Sequence, residues 1–344
     1  MTDDRTRRTR RSLLAAAAGT AAIGSAGCVE ITTPADLARA TDPGGHVDYF
    51  VGVDWLRDRF GDVTVLDARQ EMFFRSERIY GARRVPVDDI TAQTTGDGGR
   101  IPDIDTLAQV LGSLGIGAEH DIVVYGSSVG ARVTRTVFVL KALGHAGDVR
   151  ILNGGMSAWN GRVGTGPTSD PEDVDYEPAP DSDKWVDREW LADRVGTFNE
   201  DGPGLIDVRV PEAYVAAAGA DALAEDHDRH GHLPGAVNVH WFGNIDGTTL
   251  ADPGELYQLY AGNAELDDGK PVVVYGDENV EPTQTWVTLR AIGFDDVRVY
   301  DGGFGEWANV DGDRGRYPVE TGTTAVIETD GEIGTDDGGD FTCN

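Results

Sequence analysis

The feature that most constrains the fold of this chain is an internal repeat with a period of about 150 residues. Five segments recur in the same order in both halves of the 344 residues: 65–69 with 205–209, 79–83 with 233–237, 122–126 with 272–276, 143–145 with 292–294, and 154–159 with 302–307. Their offsets are 140, 154, 150, 149 and 148 residues. A nearly constant offset with small insertions is typical of a duplicated domain. We therefore expect two homologous domains of ordinary size.

Each copy alternates short apolar runs with helix-like stretches. In the second copy, Val272–Tyr275 is a continuous apolar run, which is typical of a strand buried on both faces of a parallel sheet. Thr283–Ile292 has an apolar helical face that ends at Gly293, and Val297–Tyr300 predicts the next strand. We therefore predict an α/β fold made of two domains, each a mainly parallel sheet with helices on both faces.

The composition changes along the chain and divides it into six parts. We predict a signal peptide at 1–28, a tether at 29–45, a first domain at 46–163, a linker at 164–183, a second domain at 184–320 and an acidic tail at 321–344. The tether and the linker are rich in Pro and Asp, which is typical of connecting segments. The tail combines acidic residues with Gly and Thr, a composition that predicts disorder.

The charge balance is strongly acidic. The chain carries 60 Asp and Glu residues against 29 Lys and Arg residues, a formal net charge of −31, and only three of the basic residues are lysines. The acid is spread along the whole chain, as in proteins of extreme halophiles, where molar salt screens the self-repulsion. No stretch after the N-terminus is strongly basic, so we predict no nucleic-acid partner.

The N-terminus carries an export signal. Arg10 and Arg11 precede a short apolar run, the pattern of a twin-arginine (Tat) signal. The run is too short to remain as a membrane span, and Ser25–Cys28 is similar to a lipobox, whose cysteine is lipidated. We expect a protein anchored to the outer face of the membrane through Cys28. The alternative is ordinary signal-peptide cleavage near Ala26 and secretion.

Two signatures identify a family resemblance. Gly231–Asn238 reads Gly-His-Leu-Pro-Gly-Ala-Val-Asn, and Tyr300–Trp307 reads Tyr-Asp-Gly-Gly-Phe-Gly-Glu-Trp. Both resemble signatures of the tandem-domain rhodanese family, which includes thiosulfate and 3-mercaptopyruvate sulfurtransferases. The resemblance covers about residues 47–319. It implies that a cysteine should open the loop after Val272–Tyr275, where backbone N–H groups hold an anion and lower the cysteine pKa, so that the thiolate carries sulfur as a persulfide.

This chain departs from the family pattern at that loop. The loop consists of Gly276, Asp277, Glu278, Asn279, Val280 and Glu281. Glycine stands at the nucleophile position, and three carboxylates replace basic residues, where they are expected to repel an anionic substrate. The arginine that grips the substrate in the family is also replaced, by Ala213. We therefore expect no catalytic residue at this site.

The corresponding loop of the first copy is less informative. It consists of Gly126, Ser127, Ser128, Val129, Gly130, Ala131 and Arg132. The resemblance implies no cysteine there and an arginine where Arg132 stands. Ser127 or Ser128 would be a nucleophile only with a nearby base, so helix capping is the preferred interpretation. Cys343 lies near the chain end with no cationic neighbour to make it a thiolate.

Other candidate residues have structural interpretations. The resemblance gives the pairs Asp67/Arg69 and Asp207/Arg209 the role of fixing strand ends near the loops. His227, His230 and His232 could bind zinc or copper, and the acidic loop could hold calcium. A signature histidine beside a solvated loop is the preferred interpretation, and we predict neither a metal nor a cofactor.

Three hypotheses for the function follow. The first is a catalytically inactive member of the family that binds a small ligand or a protein partner through its remodelled cleft at the cell surface. The second is a sulfurtransferase that moves sulfane sulfur from thiosulfate or 3-mercaptopyruvate to a thiophilic acceptor. The third is an envelope scaffold, for which an anchor and a tether suffice.

Overall fold

The computed structural model describes residues 49–91, 101–169, 171–217, 227–277, 280–322 and 326–327. Every described residue belongs to one compact unit, Thr33–Asn344. Arg10, Arg11 and Cys28 lie outside the described residues, as does the predicted tether. Within the part of the chain that is described, no helix has the length and apolar character needed to cross a membrane.

Among the described residues, the first domain has seven strands, five of which form a parallel sheet. Its strands are β1 (Phe50–Val51), β2 (Thr64–Asp67), β3 (Arg78–Ile79), β4 (Arg83–Arg84), β5 (Ile122–Tyr125), β6 (Val149–Leu152) and β7 (Val163–Gly164). The sheet has the order β1-β6-β5-β2-β4, with every neighbour parallel, while β3 and β7 form a separate antiparallel pair. The central strand β5 is buried along its whole length, as expected for a strand covered on both faces.

Five helices belong to the first domain. They are α1 (Val53–Asp58), α2 (Glu71–Ser76), α3 (Ile104–Ser113), α4 (Ala131–Ala142) and α5 (Gly155–Ala158). The start of α3 is fixed by Asp103, whose carboxylate accepts hydrogen bonds from the backbone N–H groups of Asp105 and Thr106. The helix α4 follows β5 after one loop, so the first domain contains the predicted strand–loop–helix unit.

The second domain repeats this plan: its described residues form eight strands, six of which make a parallel sheet. Its strands are β8 (Trp185–Val186), β9 (Gly204–Asp207), β10 (Val237–Val239), β11 (Ile245–Asp246), β12 (Thr249–Leu250), β13 (Val272–Tyr275), β14 (Val297–Tyr300) and β15 (Val326–Ile327). The sheet order is β15-β10-β9-β13-β14-β8, and β11 and β12 form an antiparallel hairpin. The predicted strands β13 and β14 and the two-domain α/β fold are confirmed.

The helices of the second domain are short except for one. They are α6 (Arg188–Ala192), α7 (Pro211–Tyr214), α8 (Pro253–Tyr257), α9 (Pro282–Ala291) and α10 (Gly303–Ala308), with 3-10 turns at Ser182–Lys184 and Trp241–Asn244 and a π-helical turn at Gln258–Asn263. The helix α9 begins one residue before the predicted Thr283 because proline fits the first turn, where its missing N–H breaks no hydrogen bond.

One prediction is wrong within the C-terminal tail. The composition predicts disorder over 321–344, yet β15 adds to the sheet there. Val326 and Ile327 pair in parallel with Asn238 and Val239 of β10. The strand β10 would otherwise leave an unpaired edge, and two consecutive β-branched residues are suited to covering it.

The two domains share a continuous core because α4 and α9 pack against each other. The rings of Phe138 and Trp286 meet edge to face at 5.2 Å, and the hydroxyl oxygens of Thr134 and Thr283 are 3.0 Å apart. Four polar residues of α9 are buried by this packing: Thr283, Gln284, Thr285 and Thr288. The sequence predicts a single apolar face for this helix, and burial against a second domain explains why its polar side is also covered.

Candidate functional site

Each domain places the same three side chains at the carboxyl ends of its central strands. In the first domain, Arg69 donates to Asp67 through Nε at 3.0 Å and Nη2 at 2.6 Å, and the hydroxyl of Tyr125 donates to the same carboxylate. In the second domain, Arg209 donates to Asp207 through Nε at 3.0 Å and Nη2 at 2.7 Å. We call these two sets the strand-end triads, with Tyr275 as the tyrosine of the second.

The second triad is the more deeply buried. Burial alone would lower the pKa of the Arg209 guanidinium, but the carboxylates of Asp207 and Asp277 outweigh burial and raise it. Burial and the charge of Asp207 raise the pKa of the Tyr275 hydroxyl well above its usual value. Both groups therefore keep their protons at neutral pH, and the guanidinium of Arg209 stays charged beside the Asp207 carboxylate, close to the loop after β13.

A glycine pair fixes the floor of each loop. The N–H of Met156 donates to the carbonyl of Gly126 at 2.8 Å, and the N–H of Phe304 donates to the carbonyl of Gly276 at 2.7 Å. A Cβ on Gly303 would lie 2.3 Å from the carbonyl oxygen of Asp277, and Gly303 has φ +62°. The repeated Gly-Gly signature thus exists because the loop backbone passes where a side chain would stand.

The loop after β13 brings a carboxylate to the buried arginine. Asp277 Oδ1 lies 3.2 Å from Nη1 of Arg209 and 3.9 Å from Nδ1 of His227. The guanidinium of Arg209 also lies 3.9 Å from the ring centre of Phe304. The Asp277 side chain is 41% exposed, so it stands at the mouth of the site. The sequence predicts that Asp277 acts as a repelling charge, whereas the structure gives it two cationic or potentially cationic neighbours.

The remaining residues of that loop lead into α9. The carbonyls of Val280 and Glu281 accept hydrogen bonds from the N–H groups of Thr283 and Gln284. Glu278 and Asn279 lie outside the described residues. The predicted position of the lost substrate arginine, Ala213, is buried within α7.

The loop after β5 is covered by the other domain. The N–H of Val129 donates to the carbonyl of Thr248, which lies between β11 and β12, at 3.0 Å. Arg132 donates to the carbonyl of Ala68 at 3.1 Å and to Asp88 at 3.1 Å. The Thr248 contact ties the loop to the second domain, because it satisfies the N–H of Val129, one of the backbone donors of the loop.

The capping role proposed for the loop serines is wrong. The N-cap of α4 is Gly130, which makes no side-chain cap hydrogen bond. The helix begins at Ala131, too far along the chain for Ser127 or Ser128 to occupy the cap position. Instead the carbonyl of Ser127 accepts hydrogen bonds from the N–H of Ser157 at 3.3 Å and from its hydroxyl at 2.9 Å.

The domains exchange equivalent contacts across their interface. Asn153, after β6, accepts a hydrogen bond from the N–H of Leu250 at 2.9 Å. Asp301, at the same point after β14, accepts from the N–H of Ile101 at 2.9 and 3.1 Å. Arg135 of α4 is fully buried, and burial lowers its pKa to about 10, while the charge of Asp301 acts to raise it. A cation of the first domain therefore lies within electrostatic reach of Asp301 of the second.

The three histidines lie in different environments. His232 is buried and stacked on Tyr214 at 3.7 Å, with Nδ1–H donating to the Tyr214 carbonyl. The ring of His227 packs edge to face on Phe304 at 5.4 Å, and His230 is partly exposed. Among the described residues, no three His, Cys, Asp or Glu side chains are arranged to hold a metal ion.

Sequence reasoning missed the residues that come from the other domain. Arg135 and Thr248 belong to neither signature, and nothing in their local sequence marks them as neighbours of a loop more than 100 residues away. The one available signal was the duplication itself, because Asn153 and Asp301 occupy matching positions 148 residues apart. A matched pair that follows two equivalent strands is expected at equivalent places in both domains.

Comparison with known proteins agrees with this geometry. The family model described as "Rhodanese-like domain" matches residues 52–162 and 187–310. A thiosulfate sulfurtransferase of Corynebacterium glutamicum is 29% identical over 306 residues, which cover 85% of this chain and 97% of that protein. The sulfur carrier protein TtuD of Thermus thermophilus is 28% identical over 279 residues, covering 78% of this chain and 96% of that protein.

A solved structure has the same architecture. The 3-mercaptopyruvate sulfurtransferase SseA of Escherichia coli is similar with a TM-score of 0.64 and 22% sequence identity, covering 74% of this chain and 98% of that one. At this level of identity the similarity establishes the fold.

Proposed function

Because this chain belongs to the family of proteins with rhodanese-like domains, we propose that it has lost the persulfide chemistry of its sulfurtransferase relatives and binds a ligand or partner at the cell surface. The observation that carries this proposal is the start of the loop after β13. Gly276 stands where the family resemblance expects the nucleophile, and the next side chain, Asp277, lies 3.2 Å from Arg209. Glycine has no atom that could form a covalent bond to sulfur.

The pairing of Asp277 also bears on which ligands fit. Arg209, a buried cation beside the loop, is already paired with Asp207, and its Nη1 group is paired with the Asp277 carboxylate as well. An incoming thiosulfate would have to displace that carboxylate, which is covalently linked and so present at high effective concentration. The proposed ligand is therefore cationic or neutral, in contrast to the anionic donors of sulfurtransferases.

Export and anchoring form the second part of the proposal. The supporting features are Arg10, Arg11 and the lipobox-like Ser25–Cys28. Mass spectrometry of the protein purified from its native membrane tests this part, since lipidation adds a defined mass at Cys28. An unmodified N-terminus near Ala26 would favour the secreted form.

A sulfurtransferase remains the second candidate. It is supported by the similarity to the C. glutamicum thiosulfate sulfurtransferase across 97% of that protein. In that case the sulfur must be carried by a group other than residue 276. Once Cys28 is lipidated or removed with the signal peptide, Cys343 is the remaining thiol of the chain.

The deciding experiment measures thiosulfate:cyanide and 3-mercaptopyruvate sulfurtransfer in molar salt. We expect neither the natural chain nor Gly276→Ser to transfer sulfur from either donor. Serine is close to cysteine in size but has no thiol, so this variant is the control for adding a side chain at position 276. Turnover by the natural chain that survives Gly276→Ser and disappears in Cys343→Ser would overturn the proposal in favour of the second candidate.

A binding measurement tests the role of Asp277 separately. Isothermal titration with thiosulfate should detect no binding to the natural chain and measurable binding to Asp277→Ala, in which Arg209 keeps Asp207 as its partner but no longer contacts a carboxylate of the loop. Asp88→Ala is the matched control, since Asp88 pairs with Arg132 at 3.1 Å beside the other loop. Equal affinity of all three chains for thiosulfate would contradict the assignment.

A further inference from the structure

The two domains differ in how they cover the tryptophan of their repeated signature. In the second domain Trp307 is fully buried. The segment that follows α10 folds back over it, with Tyr317 packing edge to face at 5.3 Å and the indole N–H donating to the carbonyl of Pro318 at 2.8 Å. Arg229 ties this cover down through hydrogen bonds to the carbonyls of Ala308 and Tyr317. The outer face of the second domain is thus closed by its own chain.

In the first domain the equivalent Trp159 remains partly exposed. Its ring stacks on Phe60 at 6.0 Å, and its N–H donates to the carbonyl of Arg162 at 3.2 Å. The guanidinium of Arg162 lies 3.4 Å from the ring centre of Tyr80. We call Phe60, Tyr80, Trp159 and Arg162 the aromatic face.

The aromatic face is continuous and exposed. Phe60 and Tyr80 are 39% and 44% exposed. Because Ile79 lies opposite Val163 in the antiparallel pair of β3 and β7, Tyr80 lies opposite Arg162, and these two side chains are on the same side of the pair. The linker leaves in another direction, since Val174 donates to the carbonyl of Gly112 on α3 and Ala179 to that of Leu143 after α4. No described segment covers this surface.

The charge around the aromatic face is unlike that of the rest of the chain. Residues 49–91 and 148–166 carry nine arginines and nine carboxylates, while the remaining residues carry 20 basic against 51 acidic side chains. Two of these arginines contact the same ring, that of Trp55. The guanidinium of Arg59 lies 4.3 Å from its centre and that of Arg150 lies 5.1 Å from it. This region is therefore where an anionic surface meets the least repulsion.

We propose that the aromatic face of the first domain docks on the anionic lipid surface to which the chain is tethered. This inference rests on the lipid anchor at Cys28 that forms part of the proposed function. Tyr, Trp and Arg are the side chains enriched where proteins meet the membrane interface. Twenty residues separate Cys28 from Tyr49, a span of at most about 70 Å, so the first domain stays near the membrane.

The small size of the face favours a tethered contact over a dimer. A stable interface between two copies buries about 800 Å² on each partner, or about 20–30 residues, whereas the aromatic face has four residues. A weak lipid contact suffices once a tether holds the protein at the surface, because the effective concentration is high.

Vesicle co-sedimentation of the unlipidated chain 29–344 tests this inference. That chain includes the whole compact unit Thr33–Asn344 and lacks the apolar signal, which would bind lipid by itself. With phosphatidylglycerol vesicles at low salt and in molar KCl, we expect the natural chain to bind, and Tyr80→Asp and Phe60→Ser each to lower the partition coefficient about tenfold. Val174→Asp is the matched control, because Val174 is 40% exposed, close to the 44% of Tyr80, but lies in the linker, and it should bind as the natural chain does.

Three outcomes would overturn the inference. The first is no vesicle binding by the natural chain, and the second is equal binding by Tyr80→Asp and Val174→Asp. The third is a natural chain that forms dimers in sedimentation velocity and does so only while Tyr80 is intact, since the face would then be a self-association surface. Circular dichroism checks that both variants fold. The assay needs neither lipidation nor sulfur chemistry, so it can fail while the proposed function stands, and the proposed function can fail while docking is observed.

Discussion

The loop after β5 and the loop after β13 share the same frame, by which we mean the strand-end triad and the glycine pair, but the two loops differ in the groups that they contact. Both start at a glycine whose carbonyl accepts a hydrogen bond from the residue after a Gly-Gly pair. Both lie beside a triad of Asp, Arg and Tyr. In the first loop, however, a backbone donor is engaged by Thr248 of the other domain. In the second, the Asp277 carboxylate lies against Arg209.

This difference separates what the fold requires from what the chemistry requires. The triads and glycine pairs are kept in both copies, because removing them would leave a buried charge or a clash. The side chains on the loops are not held in this way, and they have diverged between the copies. The fold therefore holds the frame of each loop independently of the side chains that the loop carries.

The largest effect should follow from removing the charge of one triad. In Asp207→Asn the guanidinium of Arg209 loses its principal carboxylate inside the core, which we expect to lower the free energy of unfolding by about 3–5 kcal/mol. Asp67→Asn should cost less than half of that, because the other partner of Arg69, the Glu77 carbonyl, lies at an exposed position, whereas the Gly231 carbonyl bonded to Arg209 is buried. Guanidinium denaturation in matched salt provides the measurement. Equal losses would show that the two triads are equally buried in solution.

An intermediate effect is expected when the glycine pairs are given side chains. Gly155→Ala and Gly303→Ala should each destabilise the chain by about 2–4 kcal/mol, because a Cβ would lie 2.4 Å from the Gly126 carbonyl oxygen or 2.3 Å from that of Asp277. Gly166→Ala is the control for backbone strain alone, since Gly166 has φ +74° and no atom within 4 Å of a new Cβ. It should cost about 1–2 kcal/mol. A Gly303→Ala variant no less stable than Gly166→Ala would mean that the second loop can move away from its glycine pair.

The sequence predicted the frame well because the frame is made of local patterns. The buried run at Val272–Tyr275, the glycine after the following helix and the duplication each depend on residues close to one another, or on a period that can be read directly. The structural role of Asp207 and Arg209 also follows from a short motif. These features suffice to locate both loops along the chain.

The parts that escaped prediction depend on packing between the domains and on free strand edges. Gln284 and Thr288 are buried in a helix that packs against α4 of the other domain as well as against its own sheet. Thr248 reaches Val129 only because a hairpin of one domain lies over a loop of the other. The tail strand β15 forms because β10 presents an edge. None of these partners is near in sequence, so periodicity and composition carry no information about them.

The smallest effect concerns a position where the copies differ in kind, His145 in the first domain and Phe294 in the second. His145 donates through Nε2 to the His120 carbonyl at 2.7 Å and accepts at Nδ1 from the Tyr176 hydroxyl at 3.1 Å. Burial lowers the pKa of this imidazole below its usual 6.5. The unfolded chain therefore takes up the proton more readily than the folded one, so the stabilising contribution is present above about pH 6.5 and is lost as the pH falls from there through the folded-state pKa.

Replacing His145 by the residue of the other copy isolates this contribution. We expect His145→Phe to be less stable than the natural chain at about pH 8, because two hydrogen bonds are lost, and to lose less stability between about pH 8 and about pH 5. The comparison uses the slope of the unfolding free energy against pH, so the constant loss of hydrogen bonds cancels. His240, whose pKa burial also lowers, stays in both chains and contributes equally to both slopes. Parallel slopes would show that His145 binds its proton equally well in the folded and unfolded chains, and the first domain would then be no more sensitive to acid at this position than the second, where Phe294 cannot titrate.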